Sequence, residues 1–419
     1  MIRALPFALA LALVACAPPP PAVREAGATG PFFDEGGWDA EGLGRAAFYP
    51  SAPRLRRVER REYVGTFTAY DQLYTTRRIP APTVASPLRR APEPAIVYEA
   101  PSGRRDINFY LANNPTTALL IAQGDTILVE RYQYARREDT RFTSFSMAKT
   151  LTAMLFGIAF SEGRIKSLDD TAETYVPELK GSEYGRTPLK ALLSMSSGVQ
   201  YREDYDGADD AAKLARDTFL GIGPGGPGVL RQFSTRIREP DTRFYYAGAE
   251  TQTIGAVVAA ATGRNLADYA AEKLWRPLGA EAGASWAIDR AGAESAYCCF
   301  QATLRDWARI GLMLAHDGAW NGHQIVPRDW VIAASSVDPR RRHLAPGTAT
   351  RFFGYGYQTW IFPGPTRTFA LQGVFGQTVY VDPANRLVMV HLAARATQRD
   401  PGGAQTTALW RGVRAALGK

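Results

Sequence analysis

Cysteine, histidine and lysine are all scarce in this sequence. Three cysteines occur in 419 residues, and two of them, Cys298 and Cys299, are neighbours. Neither a zinc spacing nor a disulfide framework can be built from that set. Two buried free thiols are the expectation for the pair, with a strained vicinal disulfide the alternative in an oxidising compartment. The four histidines, His316, His323, His343 and His391, are scattered without a metal pattern or a serine partner, so each reads as structural or exposed. No metal and no cofactor are implied. A Gly-x-Ser-x-Gly elbow is missing, which argues against an α/β-hydrolase. Charge of one sign is never concentrated: 49 basic residues are interleaved with 41 acidic ones, for a net +8. The short clusters Arg104-Arg105 and Arg340-Arg341-Arg342 read as solvated loops, not as a nucleic-acid surface.

Long apolar runs are also missing. The one at 4–15 follows Met1-Ile2-Arg3 and has the length of a signal peptide, too short for an ordinary membrane span. It ends Leu13-Val14-Ala15-Cys16 and is followed by Ala17 and four prolines. This resembles a bacterial lipoprotein processing site. The resemblance implies a lipid on Cys16, residues 1–16 as the leader, and a periplasmic protein anchored to the outer membrane. Residues 17–104, rich in proline and arginine and poor in periodicity, read as a tether and a surface-hugging arm. Residues 105–419 read as one folded domain.

What remains is globular: 46% hydrophobic and 21% charged. A short helix is expected at 107–112, then a hairpin from 118–122 and 126–130 around Gln123-Gly124-Asp125. The apolar stripe Met147, Leu151, Leu155 and Ile158 predicts a helix over 146–162, closed by Gly163. A further amphipathic helix is expected at 306–316, strands at 357–362, 378–381 and 387–392, and a last helix at 405–417. Strands at both ends of the chain with helices between predict an α+β fold: an antiparallel sheet flanked by helices, plus an all-helical subdomain. The string Gly221-Ile222-Gly223-Pro224-Gly225-Gly226 matches a dinucleotide fingerprint. Its prolines forbid the strand–turn–helix that such a site needs, so it reads as a mobile loop.

The chemistry rests on Ser146-Met147-Ala148-Lys149, a Ser-x-x-Lys motif. Positions three apart on a helix share a face, so hydroxyl and amine can meet. A serine hydroxyl needs a neighbour to take its proton, and a lysine can do so when burial lowers its pKa. With 16 serines and seven lysines in the chain, the tetrapeptide arises by chance about 0.3 times, so it is weak alone. Its context is more specific. Phe244-Tyr245-Tyr246-Ala247-Gly248 leads into an apolar helix ending at Gly263, and Gly373-Val374-Phe375-Gly376-Gln377 leads into a strand ending at Asp382. The segments 142–149, 168–170, 192–198 and 303–309 fit the same scheme.

This order resembles the serine β-lactamase and penicillin-binding superfamily over about 105–419. The class C and esterase branch, with its 6-aminohexanoate-dimer hydrolase-like enzymes, is the nearest in motifs. The resemblance implies Ser146 as acylated nucleophile, Lys149 as its base and Tyr246 as proton shuttle. Tyr245 is the rival, but only Tyr246 keeps the family spacing of nine residues to Gly255. It also implies an oxyanion hole from the backbone N–H groups of Ser146 and Val374, and substrate contacts from Tyr205, Gln372 and Gly373. Two departures stand out. The family's Tyr-x-Asn is Tyr246-Ala247-Gly248 here, and its Lys-Thr-Gly or His-x-Gly is Leu371-Gln372-Gly373. Both remove groups that hold a β-lactam or a peptide carboxylate. Hydrolysis of a small ester or short amide is therefore expected ahead of β-lactamase or D-alanyl peptidase activity, and ahead of a catalytically silent envelope-binding role.

Overall fold

The structure is a computed structural model that describes residues 23–25, 27–54, 58–399 and 403–418. Cys16 and the expected leader lie outside the described residues. The hairpin forms as Thr116–Gln123 and Thr126–Tyr132. Strand Leu387–Ala393 pairs antiparallel with Thr116–Gln123, and this contact closes the sheet between the two chain halves. From there Gln377–Asp382, Phe369–Gly373, Trp360–Ile361 and Gly354–Tyr355 continue outward, each antiparallel to the last. The central strands are buried almost throughout, because both faces are covered. Helix Leu304–Ala315 lies on one face and helix Gly403–Leu417 on the other. The α+β architecture expected from the sequence is the one observed.

Beside the sheet, helices Ala148–Ser161 and Gly248–Thr262 run against one another. Nearly every residue of the first is buried, as befits a helix that is apolar all round. Burying Leu151, Leu155 and Ile158 there contributes roughly 1.5–3 kcal/mol each. The helix starts later than its apolar stripe suggested. Phe145–Met147 forms a single 3-10 turn, and the α-helix proper begins at Ala148.

Two local expectations are corrected. The strand expected over 357–362 shortens to Trp360–Ile361, and a separate short strand, Gly354–Tyr355, precedes it. Gln358 between them has a left-handed φ of 53°. Its buried amide bonds the carbonyls of Leu192 and Leu193 and accepts from Thr251 Oγ1, so tertiary bonds override strand propensity. The glycine-rich loop takes up no strand–turn–helix and is tied to its neighbours by hydrogen bonds. Asp217 accepts from Gly225 N, Asp289 accepts from Gly226 N, and a 3-10 turn covers Gly226–Gln232. Cys298 and Cys299 are not free thiols: they are joined as a vicinal disulfide, with Cys299 at a left-handed φ of 67°.

The arm is woven into the body. Phe32–Phe33 and Arg89–Arg90 both pair parallel to Thr126–Tyr132 at the edge of the main sheet. Thr76–Ile79 joins Ala284–Ala287 in a second sheet of four strands, completed by Phe300–Thr303 and Arg141–Thr143. Two short helices, Tyr63–Phe67 and Tyr70–Leu73, bring aromatic rings to the turn that carries Ser146.

Candidate active site

Ser146 sits in the 3-10 turn just before the buried helix, and the turn is fixed from behind. Ser144 N donates to Phe300 O at 2.8 Å, and Phe300 N donates back to Ser144 Oγ at 2.9 Å. One helical turn on, Lys149 Nζ lies 2.9 Å from Ser146 Oγ and donates to the carbonyl of Tyr297 at 3.0 Å. That carbonyl is itself positioned. Thr152 Oγ1 donates to Ala296 O, while Gln252 bonds both Ala296 N and Glu294 O. The amine is buried, only 2% of the residue being exposed. Desolvation lowers its pKa to about 8, against a weaker upward pull from the Glu203 carboxylate.

Tyr246 completes the cluster. Lys149 Nζ stands 4.9 Å from the centre of its ring, and Trp360 stacks on the ring at 5.3 Å. Burial, helped by the Glu203 carboxylate, pushes its pKa well above the ordinary phenol value, and the Ser146 hydroxyl pulls weakly the other way. Tyr246 therefore stays a neutral phenol at neutral pH. The rival Tyr245 also lines the cavity but is 45% exposed, and it is the Tyr246 ring that Lys149 Nζ faces. Segment 192–198, which fitted the family scheme, has a visible task here. Met195, at a left-handed φ of 55°, accepts from Tyr245 N at its carbonyl and from Ala247 N at its sulfur, which sets the tyrosine loop.

Across from Ser146, strand Phe369–Gly373 ends against the 3-10 turn. A Cβ on Gly373 would fall 2.4 Å from Ser144 O and 3.2 Å from Ser146 N, so only glycine permits this approach. Gln372, Gly373 and Val374 all line the same cavity as Ser146, with Tyr205 and Tyr246. Every site residue expected from the sequence within the described part of the chain is thus brought to one place. None of the four histidines lines it. Among the described residues, no group of three or more His, Cys, Asp or Glu side chains is placed to hold a metal ion.

Three residues at the site were not singled out in the sequence: Glu203, Tyr297 and Trp360. Glu203 Oε1 accepts from Tyr205 Oη at 2.7 Å, and its Oε2 accepts from Gly248 N at 2.7 Å. Gly248 occupies the place of the family's asparagine. A Cβ there would come within 3.4 Å of Glu203 Oε2 and of the Tyr297 ring. The carboxylate thus stands at the start of helix Gly248–Thr262, where the exposed N–H groups favour negative charge. Its only sequence signal was its proximity to Tyr205.

The comparisons with known proteins agree with this geometry. Residues 110–412 match the Beta-lactamase family, and the chain belongs to that family. A 6-aminohexanoate-dimer hydrolase of Paenarthrobacter ureafaciens is 28% identical over 311 residues, covering 72% of this chain and 79% of the relative. Among solved structures, a Bacillus anthracis protein provisionally named a 6-aminohexanoate-dimer hydrolase superposes with a TM-score of 0.78 at 24% identity. It covers 87% of this chain and 97% of its own. A family VIII carboxylesterase superposes with a TM-score of 0.54 at 17% identity, over 73% of this chain and 94% of its own. The protein is a serine hydrolase of that family, with a 6-aminohexanoate-dimer hydrolase among its curated relatives.

Proposed function

We propose that the protein cleaves carboxylic esters or short amides through an acyl-enzyme on Ser146. The observation that carries this reading is the 2.9 Å contact between Ser146 Oγ and a buried Lys149 amine whose pKa is lowered to about 8. About a tenth of such an amine is neutral at pH 7, enough to accept the serine proton. Ser146 Oγ then attacks the substrate carbonyl. The N–H groups of Ser146 and Val374 receive the oxyanion. Tyr246, a phenol beside the amine, passes its proton to the departing alkoxide or amine and takes one back from the Lys149 ammonium, which leaves the amine neutral again. Water attacks the acyl-enzyme by the reverse route, with Lys149 again taking the proton. Tyr205, Gln372 and Gly373 contact the substrate from the cavity wall.

Penicillin hydrolysis and D-alanyl peptide cleavage rank behind this reading. Gln372 offers a neutral amide where the family has a cation or histidine, and Gly248 offers no side chain at all. A silent binding protein would have no need of a desolvated lysine against a serine. The test is intact mass after fluorophosphonate treatment of the purified protein beside Ser146→Ala. One adduct on the wild type and none on the variant is expected. A folded wild type that takes no adduct would overturn the proposal.

We also propose that Cys16 carries a lipid and holds the enzyme at the periplasmic face of the outer membrane. A disulfide at Cys298–Cys299 suits an oxidising compartment. Incorporation of a labelled fatty acid in a bacterial host, lost on Cys16→Ser, is the expected result.

A further inference from the structure

Ser146 lies at the seam between two cavities of unlike character. The larger, about 570 Å³, is polar-rimmed: it holds Tyr246, Gln372, Asp204 and Arg399. The smaller, about 300 Å³, runs the other way, beneath the arm. Ser146, Glu203, Tyr205, Val374 and Gln398 line both, so a group bonded to Ser146 Oγ has access to either.

The smaller cavity is built from apolar surface. Tyr70 of the arm meets Phe219 edge-on at 6.0 Å, and Phe145 packs beside Tyr70 at 5.9 Å. Ala211, Ala212 and Ala215 of helix Asp210–Leu220 present only methyl groups to it, which leaves the space open. The Cys298–Cys299 disulfide forms a further wall, a polarisable apolar surface where two thiols had been expected. No lysine or arginine lines it. Its two carboxylates are already engaged. Glu203 is held by Tyr205 Oη and Gly248 N, and Asp209 by the N–H groups of Asp204, Tyr205 and Ala212.

The proton donor decides which half of a substrate goes where. Tyr246 lines the larger cavity and not the smaller, so the group that leaves with its proton departs on the side of the larger. The part that stays on Ser146 must then lie in the smaller cavity. We propose that this cavity is the acyl site, and that the enzyme acts on esters or amides of compact, uncharged apolar acids, about the size of a phenylacetyl group. A volume of about 300 Å³ is at the small end for ligand cavities, and the rings of Tyr70, Phe145 and Phe219 among its walls suit one flat ring. The inference rests on the acyl-enzyme reading above.

The experiment compares p-nitrophenyl phenylacetate with p-nitrophenyl acetate, so that the leaving group is constant. The wild type is expected to favour the phenylacetyl ester at least ten-fold in kcat/KM. Ala215→Phe, which fills the cavity from the helix side, is expected to lower that preference at least ten-fold. The milder Ala215→Leu serves if the larger side chain prevents folding, and fluorophosphonate labelling of Ser146 monitors the active fold. A labelled variant that keeps the wild-type preference, or a wild type that prefers acetate, would overturn the acyl site and leave the hydrolase reading standing. Absence of both labelling and turnover would overturn the hydrolase reading, and the acyl site with it.

Discussion

The arm and the body of this enzyme hold the two sides of Ser146 by different physical means. On the body's side, Lys149 is fixed by hydrogen bonds within a buried helical layer: Thr152 and Gln252 set the 294–297 loop, and the loop's carbonyl sets the amine. On the other side, the backbone before Ser146 and after Val374 passes through two phenylalanines in the left-handed region, Phe145 at φ 41° and Phe375 at φ 61°. Such a conformation costs about 1–3 kcal/mol at a bulky residue and persists only where the surroundings over-determine it. The arm supplies much of those surroundings. Phe67 meets Phe145 at 5.0 Å and Phe375 at 4.9 Å, Tyr63 meets Phe375 at 5.1 Å, and the two phenylalanines meet each other at 5.3 Å. Polar bonds place the Lys149 amine, and ring packing holds the backbone beside Ser146 and Val374, the proposed base and oxyanion donors. A segment without periodicity can therefore brace the backbone of a site far along the chain, provided its aromatic rings reach it.

Breaking the body's side should cost the most. Lys149→Met keeps an apolar stem in the helix and removes the proton acceptor, and kcat/KM on an activated ester should fall about 10²–10⁴-fold. A loss below ten-fold would mean that another group activates Ser146. Breaking the arm's side should cost less and differently. Phe67→Ala empties a site only 5% exposed, so stability should drop by about 3–5 kcal/mol. Below the unfolding range, kcat should fall roughly ten- to hundred-fold with KM little changed, since an oxyanion contact acts mainly in the transition state. Phe67→Leu should recover part of kcat. If the arm only adds stability, kcat of the folded variant will equal that of the wild type.

Much of the body was legible because its contacts are local or periodic. Ser146 and Lys149 meet through helical spacing, and the sheet declares itself by its apolar runs at both ends of the chain. Tyr246 was legible from motif order, and its preference over Tyr245 from the spacing to Gly255. The rest depends on contacts that no short-range pattern encodes. The carbonyl that holds Lys149 comes from Tyr297, 148 residues on. Glu203 reaches the site because Gly248 has no side chain, and its role is invisible until the two loops are seen together. Trp360 needed the turn at Gln358 to be known. The arm's rings act across long sequence distances. The vicinal disulfide depends on a backbone turn at Cys299 that adjacency alone does not specify.

The pH profile sharpens the comparison further, with the smallest effects. Burial takes the pKa of Lys149 below its ordinary 10.5 to about 8, so the neutral, proton-accepting form grows as pH rises towards that value. The rate should climb through an apparent midpoint near pH 8 and level off above it. Folding feels the same shift with a definite sign. Between about 8 and 10.5 the unfolded chain binds a proton that the native chain does not, so stability rises with pH across that window. Below pH 8 the buried charge is a full penalty, and Lys149→Met should raise the melting temperature there while abolishing most activity. The Glu203 carboxylate pulls the lysine's pKa upward. Glu203→Gln should therefore move the midpoint of the rate profile to lower pH, by a fraction of a unit to about one unit. Phe67→Ala should leave the midpoint where it is while lowering the plateau, because the arm touches the oxyanion side and not the amine. A midpoint that moves with the arm variant would show that the two sides of Ser146 are coupled, and the division drawn between them would fail.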